Sequence, residues 1–339
     1  MRYYGCKTKL LDYIESVVIS LPVKKGAIFF DLFSGTTAVG QHFKKLGYTV
    51  YANDFLEFAY SLAYTNIQTN TRPKFKKLKL SVDVIDYLNK LKGKVGFITK
   101  NYTPHGKNKR QFLSINNGKK VDVIRQQIQI WKDKKLISDS EYYYLLSSLI
   151  NSISLVANVT GTYAAYLKIW DNRALKDIKL SHMDIINNKK ENRAFKEDVN
   201  DLVGKHKVDI LYLDPPYNAR QFASNYFFLE LIADGWFNKI PKIYGQSGMR
   251  PYEHQKSRYS ISRQASDALM DLIKKARANY ILLSYNDEGI IPINDLKRIL
   301  ATRGKVTEYT KEHKRYRAIN QDGSKIITKE HLFLVKVNK

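Results

Sequence analysis

Cysteine is almost absent from this chain, and the single one, Cys6, excludes an internal disulfide and any cysteine-based zinc cluster. Acidic residues are scarce beside basic ones: 32 Asp+Glu against 57 Lys+Arg leave a formal charge of +25. No apolar run approaches the roughly 18 residues of a membrane-spanning helix, and no basic stretch pairs a Lys/Arg face with a Trp/Phe/Leu face as membrane-surface helices do. Met1 is followed by Arg-Tyr-Tyr-Gly instead of an apolar signal region, so a soluble cytoplasmic protein is expected. Internal repeats and low-complexity tracts are missing too. What is present is enough chain, 339 residues at 44% hydrophobic, for one large domain or two smaller ones. A positive field of this size concentrates polyanions, which makes nucleic acid the expected partner.

Prolines number only 8, yet two are adjacent, in Ile210-Leu211-Tyr212-Leu213-Asp214-Pro215-Pro216-Tyr217. The apolar run reads as a buried parallel strand, and the prolines, lacking N–H groups, end its ladder. The turn then lies at the carboxyl end of a sheet, where open α/β folds bind ligands. It presents one carboxylate, prolyl carbonyls and one aromatic face. Asp214 and the Pro215 carbonyl can each accept one N–H of an exocyclic amino group while Tyr217 stacks on the ring. With both protons held, the nitrogen lone pair leaves conjugation and can be aimed at an electrophile. The same four letters also suit an ordinary strand end, so the rest of the chain must decide.

Residues 27–33 read as a strand, 34–37 as a turn into a helix, and 49–54 as a second strand: a βαβ unit with a small-residue loop. Asp54 follows Gly35 by 19 residues, close to the ribose-binding spacing of nucleotide folds. The loop is not G-x-G-x-x-G and has no phosphate-loop lysine, which favours a nucleoside without phosphates. Asp54 suits the ribose hydroxyls and Phe33 the ligand's flank; an acid that merely ends a strand is the alternative. Near the start, Gly5 precedes an amphipathic helix, and Lys7 by itself reads as a surface residue at the helix cap.

The catalytic domain is expected over 1–94 and 190–339, interrupted at 95–189 by a mostly helical insertion rich in Tyr and Lys/Arg, with helices over 120–135 and 140–157 and a strand over Lys179–Ile186. Asp198 could then accept from an amino group of a cofactor. The long segment 238–263, carrying Arg250, Lys256 and Arg258, reads as a nucleic-acid clamp. Lys314 and Arg315 belong to a basic stretch, 311–317, expected between two late strands, and 332–335 is expected to close the sheet.

Taken together, Tyr4-Gly5-Cys6-Lys7, Asp31-Leu32-Phe33-Ser34-Gly35-Thr36, Asn53-Asp54, Glu197-Asp198, Asp214-Pro215-Pro216-Tyr217-Asn218-Ala219-Arg220-Gln221 and Leu283-Ser284-Tyr285-Asn286 resemble the Dam-like, α-class adenine-N6 DNA methyltransferases, in particular the branch associated with type IIS restriction systems. The resemblance implies a Rossmann-like α/β methyltransferase fold, S-adenosyl-L-methionine as cofactor, no metal, and methylation of a flipped adenine in double-stranded DNA. Asp214, Pro215, Pro216 and Tyr217 would be catalytic. Tyr3, Tyr4, Gly5 and Lys7 would lie near the methionine end or the catalytic loop, with Asp31, Phe33, Ser34, Gly35 and Thr36 in the cofactor loop, Asp54 on the ribose and Asp198 with Val199 at the adenine ring. Arg220, Arg250, Lys256, Arg258, Lys314 and Arg315 would contact DNA, the insertion would serve target recognition, and the protein would act as a monomer, with a cognate endonuclease or a second methyltransferase as partner. Two departures stand out: Thr37 replaces the second glycine usual in the loop, and Cys6 stands where Ser or Gly is common. An N4-cytosine or RNA-adenine methyltransferase, or a non-catalytic DNA-binding subunit, are the competing readings.

Overall fold

Side chains alternate across the central strands, and that alternation divides the sheet into two buried faces. In the computed structural model, which describes residues 5–319 and 325–338, seven strands form one sheet in the order β3-β2-β1-β4-β5-β7-β6. They are β1 (Ile28–Asp31), β2 (Thr49–Asn53), β3 (Arg193–Phe195), β4 (Val208–Leu213), β5 (Ala278–Asn286), β6 (Gly304–Ile319) and β7 (Lys325–Val337). The first five are parallel, and β7 runs antiparallel to both its neighbours. Phe29, Ile210, Tyr212 and Leu282 face α1 (Leu11–Ile19) and α2 (Ala38–Lys45). Their sequence neighbours Phe30, Leu211 and Leu283 face the opposite layer. That layer is α8 (Val199–Leu202), α11 (Ser262–Lys275) and α12 (Ile293–Ala301). Each fully buried side chain of this size contributes about 1.5–3 kcal/mol. Helices on both faces explain the uninterrupted apolar runs of β4 and β5.

A third core is helical. It joins α3 (Glu57–Ala63) to α4 (Val84–Lys90), α5 (Phe97–Tyr102), α6 (Ile115–Asp133) and α7 (Asp139–Val156), and then to the consecutive helices α9 (Phe222–Asn225) and α10 (Phe227–Asp234). The helices of the insertion therefore share their core with the segments that follow β2 and β4. Ser138 caps α7 in a capping box with Glu141. Arg125, fully buried in α6, donates from Nε to the Ile232 carbonyl (2.7 Å) and from Nη2 to the Ala233 carbonyl (3.1 Å), satisfying the last turn of α10.

Three expectations fail. No strand forms over 179–186: Ile178, Leu180 and Met183 bury against the helical core, and the backbone there bonds to side chains instead of a neighbouring strand. Asn89 brackets Leu180 from both its N–H and its carbonyl, and Ser148 and Ser152 donate to the Ser181 and Lys179 carbonyls. The apolar residues are buried, but against helices. The basic stretch 311–317 lies within β6, whose pairing with β7 runs from Gly304 to Lys314 and resumes at Ile319 after a register shift, and β6, not residues 332–335, forms the sheet edge. Among the described residues, no helix is long and apolar enough to cross a membrane.

Replacing Arg125 with Ala strips the Ile232 and Ala233 carbonyls of their donors in a dry site. A loss of about 2–4 kcal/mol is expected in urea unfolding at unchanged m-value, and a loss under half a kcal/mol would contradict the clamp.

Candidate active site

The sheet order reverses between β1 and β4, and a cleft with about 1210 Å³ of empty space, counting its open mouth, lies at their carboxyl ends. Into it come Gly5, Lys7, Asp31, Phe33, Ser34, Gly35, Thr36, Asp54, Asp198, Val199, Asp214, Pro215, Pro216, Tyr217, Lys256 and Arg258. Tyr3 and Tyr4 lie outside the described residues, as do the side chains of Lys314 and Arg315.

Asp54 does more than end a strand. Its Oδ2 accepts the Gly35 N–H at 2.9 Å and its Oδ1 the Leu56 N–H at 3.0 Å, so it clamps the loop after β1 to the loop after β2. Asn53 makes the matching clamp to β3, donating to the Leu32 and Glu197 carbonyls and accepting the Glu197 N–H. That bond sets the chain into Asp198, which caps α8 through the Asn200 N–H at 2.8 Å. Thr37 adopts φ 65°, the left-handed conformation that glycine prefers. Its side chain turns away from the cleft to Asn66 and Gln41, so the substitution for glycine leaves the ligand side of the loop clear.

Lys7 is not a surface residue: its side chain is 4% exposed, because the turn ahead of α1 is folded onto the end of β4. Its Nζ lies 3.2 Å from Asp214 Oδ1 and 3.3 Å from Glu330 Oε2, and 5.6 Å from the centre of the Tyr217 ring. Burial disfavours the Lys7 charge, but the two carboxylates outweigh it and hold its pKa above the ordinary value. The acids are raised as well, which for them favours the neutral form. Burial pushes Asp31 up to about 8, with Asp214 adding to it. Asp54 is pushed by burial to about 6 against its backbone donors. Asp214 is also raised by burial to about 6, Lys7 opposing and Glu330 reinforcing. The cleft is thus short of positive charge. Tyr217 is braced behind by Tyr285 (ring centres 6.0 Å) and by the Ile290 N–H, which donates to its carbonyl.

The basic residues divide. Arg220 is exposed beyond the Pro-Pro turn, and Lys256 and Arg258 sit on the cleft rim, Arg258 at 3.8 Å from Asp198. Arg250, expected on a DNA surface, is 9% exposed. Its guanidinium is taken up by Asp234 (2.6 Å), Gln255 (3.0 Å) and Glu230 (3.7 Å). Glu230, raised by burial to about 7, also accepts the Glu57 and Phe58 N–H groups at the start of α3. Arg250 thus fastens the segment 238–261 to the helices instead of facing a ligand. Residues not foreseen from the sequence also line the cleft: the exposed Phe55 immediately after Asp54, and Gln255 and Tyr259, the latter edge-on to Phe33 at 5.1 Å. Phe55, next to the ribose-spaced acid, was the one among them with a local signal.

A sheet of this order, five parallel strands followed by an antiparallel pair, with a small-residue loop after β1, an acid after β2 and an Asp-Pro-Pro-Tyr turn after β4, has a Rossmann-like methyltransferase fold. The profile of the D12 class N6 adenine-specific DNA methyltransferases matches residues 3–299, and the chain belongs to that family. It is 43% identical over 305 residues to modification methylase StsI of Streptococcus sanguinis, covering 88% of this chain and 46% of that protein. It is 38% identical over 344 residues to type II methyltransferase M.FokI of Planomicrobium okeanokoites (100% and 53% covered). To type II methyltransferase M.NlaIII of Neisseria lactamica it is 33% identical over 320 residues (94% and 93%). The chain spans about half the length of the first two relatives and nearly all of the third.

Replacing Arg250 with Ala should open the segment 238–261 to limited proteolysis and lower the melting temperature; unchanged digestion would contradict its role as a fastener.

Proposed function

We propose that this chain transfers a methyl group from S-adenosyl-L-methionine to the N6 amino group of an adenine flipped out of double-stranded DNA, at a defined sequence, as the modification half of a restriction-modification system. The observation that carries this reading is the Asp214–Pro215 turn at the sheet's switch point, lining one cleft with the loop that Asp54 clamps through the Gly35 N–H.

The cleft suits the cofactor on two counts. Ser34 Oγ is buried without a hydrogen-bond partner and lines the cleft, a polar atom waiting for a ligand. Asp31, Asp54 and Asp214 are all raised by burial with Lys7 as the one buried ammonium among the cleft-lining residues, an arrangement that favours a cationic guest. Asp54 would take the ribose hydroxyls, Asp198 and Val199 the adenine ring, and Gly5, Asp31, Phe33, Ser34, Gly35 and Thr36 the remaining wall. When bound, the cofactor supplies an electrophilic sulfonium methyl group.

The protein's part is to hold the nucleophile. Flipping the target base costs a few kcal/mol, which stacking on Tyr217 helps to offset. Asp214 and the Pro215 carbonyl accept the two amino protons, turn the nitrogen lone pair out of the ring plane and aim it in line with the transferred carbon. Asp214 is also the nearest base to receive the proton the methylated nitrogen must lose. Arg220, Lys256 and Arg258 supply phosphate contacts around the mouth.

Methyl transfer from labelled S-adenosyl-L-methionine to unmodified duplex DNA, followed by nucleoside analysis, tests the reading. N6-methyladenine is expected, and Asp214→Ala should abolish it while DNA binding persists. N4-methylcytosine would change the base, and transfer to RNA alone would overturn the DNA assignment.

A second prediction concerns protons. With Asp31 at about 8, it is mostly protonated near neutral pH, and a bound cation favours its ionised form. Binding therefore releases a proton, and affinity rises as pH climbs toward about 8. Calorimetry in buffers of different ionisation enthalpy should show this release for S-adenosyl-L-methionine and less for the uncharged thioether product. Equal proton counts for the two would refute it.

A further inference from the structure

We propose that Glu330 is a positioning residue for methyl transfer: by sharing the Lys7 ammonium with Asp214, it keeps one Asp214 oxygen fixed and leaves the other free to grip the adenine amino group. The inference rests on the adenine-methyltransferase reading of the site.

Glu330 lies on β7 directly across from Asn286 on β5, and it is not among the residues lining the cleft. It touches Lys7, from which it is separated by 323 residues in sequence, and acts on Asp214 through its charge. Its Oε2 accepts from Lys7 Nζ at 3.3 Å, and its Oε1 accepts from Asn286 Nδ2 at 3.3 Å, so both oxygens are held. Lys7 meets Asp214 at Oδ1, at 3.2 Å. An ammonium with one buried partner would close on that carboxylate and compete for both its oxygens. A second carboxylate on the far side divides the charge and pulls Nζ back. Asp214 then keeps an oxygen for the substrate and enough basicity to accept strongly from the amino group. The same pull seats the ammonium beside the Tyr217 ring, where the base must stack.

The charged and titratable groups acting on Asp214 come from separate elements: Lys7 ahead of α1, Glu330 on β7, Asp31 on β1 and Tyr212 on β4. Asp31 and Tyr212 remain in place when Glu330 or Lys7 is changed, so the two substitutions should move Asp214 in opposite directions. Glu330→Gln removes a negative neighbour and lets Lys7 collapse onto Asp214, so Asp214 should titrate at lower pH. Lys7→Met removes the positive neighbour, so Asp214 should titrate at higher pH.

The test is a carboxyl-carbon NMR titration of the aspartate-labelled 339-residue chain, with Asp214 identified by its loss in Asp214→Asn, alongside pH profiles of kcat and KM on duplex DNA. For Glu330→Gln we expect an Asp214 titration and an acid limb of kcat both displaced to lower pH, with plateau kcat down about 10- to 100-fold and the cofactor KM unchanged. Glu330→Asp, which keeps the charge, should return the Asp214 titration toward that of the wild type even if kcat recovers only in part. An Asp214 titration that is the same in Glu330→Gln and wild type overturns the inference, as does a fall in kcat with the acid limb unmoved. A wild-type protein that methylates no adenine overturns the parent reading instead, and the titration then reports separately on whether Glu330 governs Asp214.

Discussion

A single buried ammonium holds this site together. Lys7 is the counter-charge to Asp214 and Glu330, and its side chain is almost wholly out of water. A charge so placed is tolerated only with close partners, and removing either partner leaves the other exposed to an uncompensated desolvation cost. The ammonium thereby ties the start of the chain, the end of β4 and the last strand of the sheet into one corner. The Pro-Pro turn depends on the same corner: with no N–H of its own to anchor it, its carboxylate is oriented from outside.

Buried guanidinium groups play a comparable part in the helical layer. Arg110 donates to the Asn101, Gln246 and Gly245 carbonyls, Arg125 to the end of α10, and Arg250 binds Asp234 and Glu230. With Tyr102 donating to the Gly248 carbonyl, the Arg110 and Arg250 bonds fasten the segment 238–261 to α5 and α10. A long stretch with little regular structure is thus held in place by side chains aimed at its carbonyls. The consequence for the site is direct, because Gln255, Lys256, Ser257, Arg258 and Tyr259 form one wall of the cleft.

Much of the site was legible beforehand because its signals are local. The loop from Asp31 to Thr36, the acid at 54, the pair Asp198–Val199 and the turn at 214–217 each sit just past a strand, and strands were visible as apolar runs. Surface assignments fared worse. Lys7 and Arg250 look like any other basic residue in a chain of charge +25, and nothing nearby says that one will be buried against Asp214 and the other against Asp234. The expected strand at 179–186 failed for a related reason: apolar residues report that a segment is buried, not whether the covering layer is a sheet or a set of helices.

By itself the sequence determined the parallel α/β core, the switch-point turn and the family to which the chain belongs, since these rest on periodicity and on residues close together in the chain. Tertiary structure alone decided which charges meet. Glu330 reaches Lys7 across 323 residues, and Arg250 leaves the surface because Glu230 and Asp234 lie behind it. Such pairings follow from how layers pack, and a buried ion pair is specified by distance in space, which chain order does not encode.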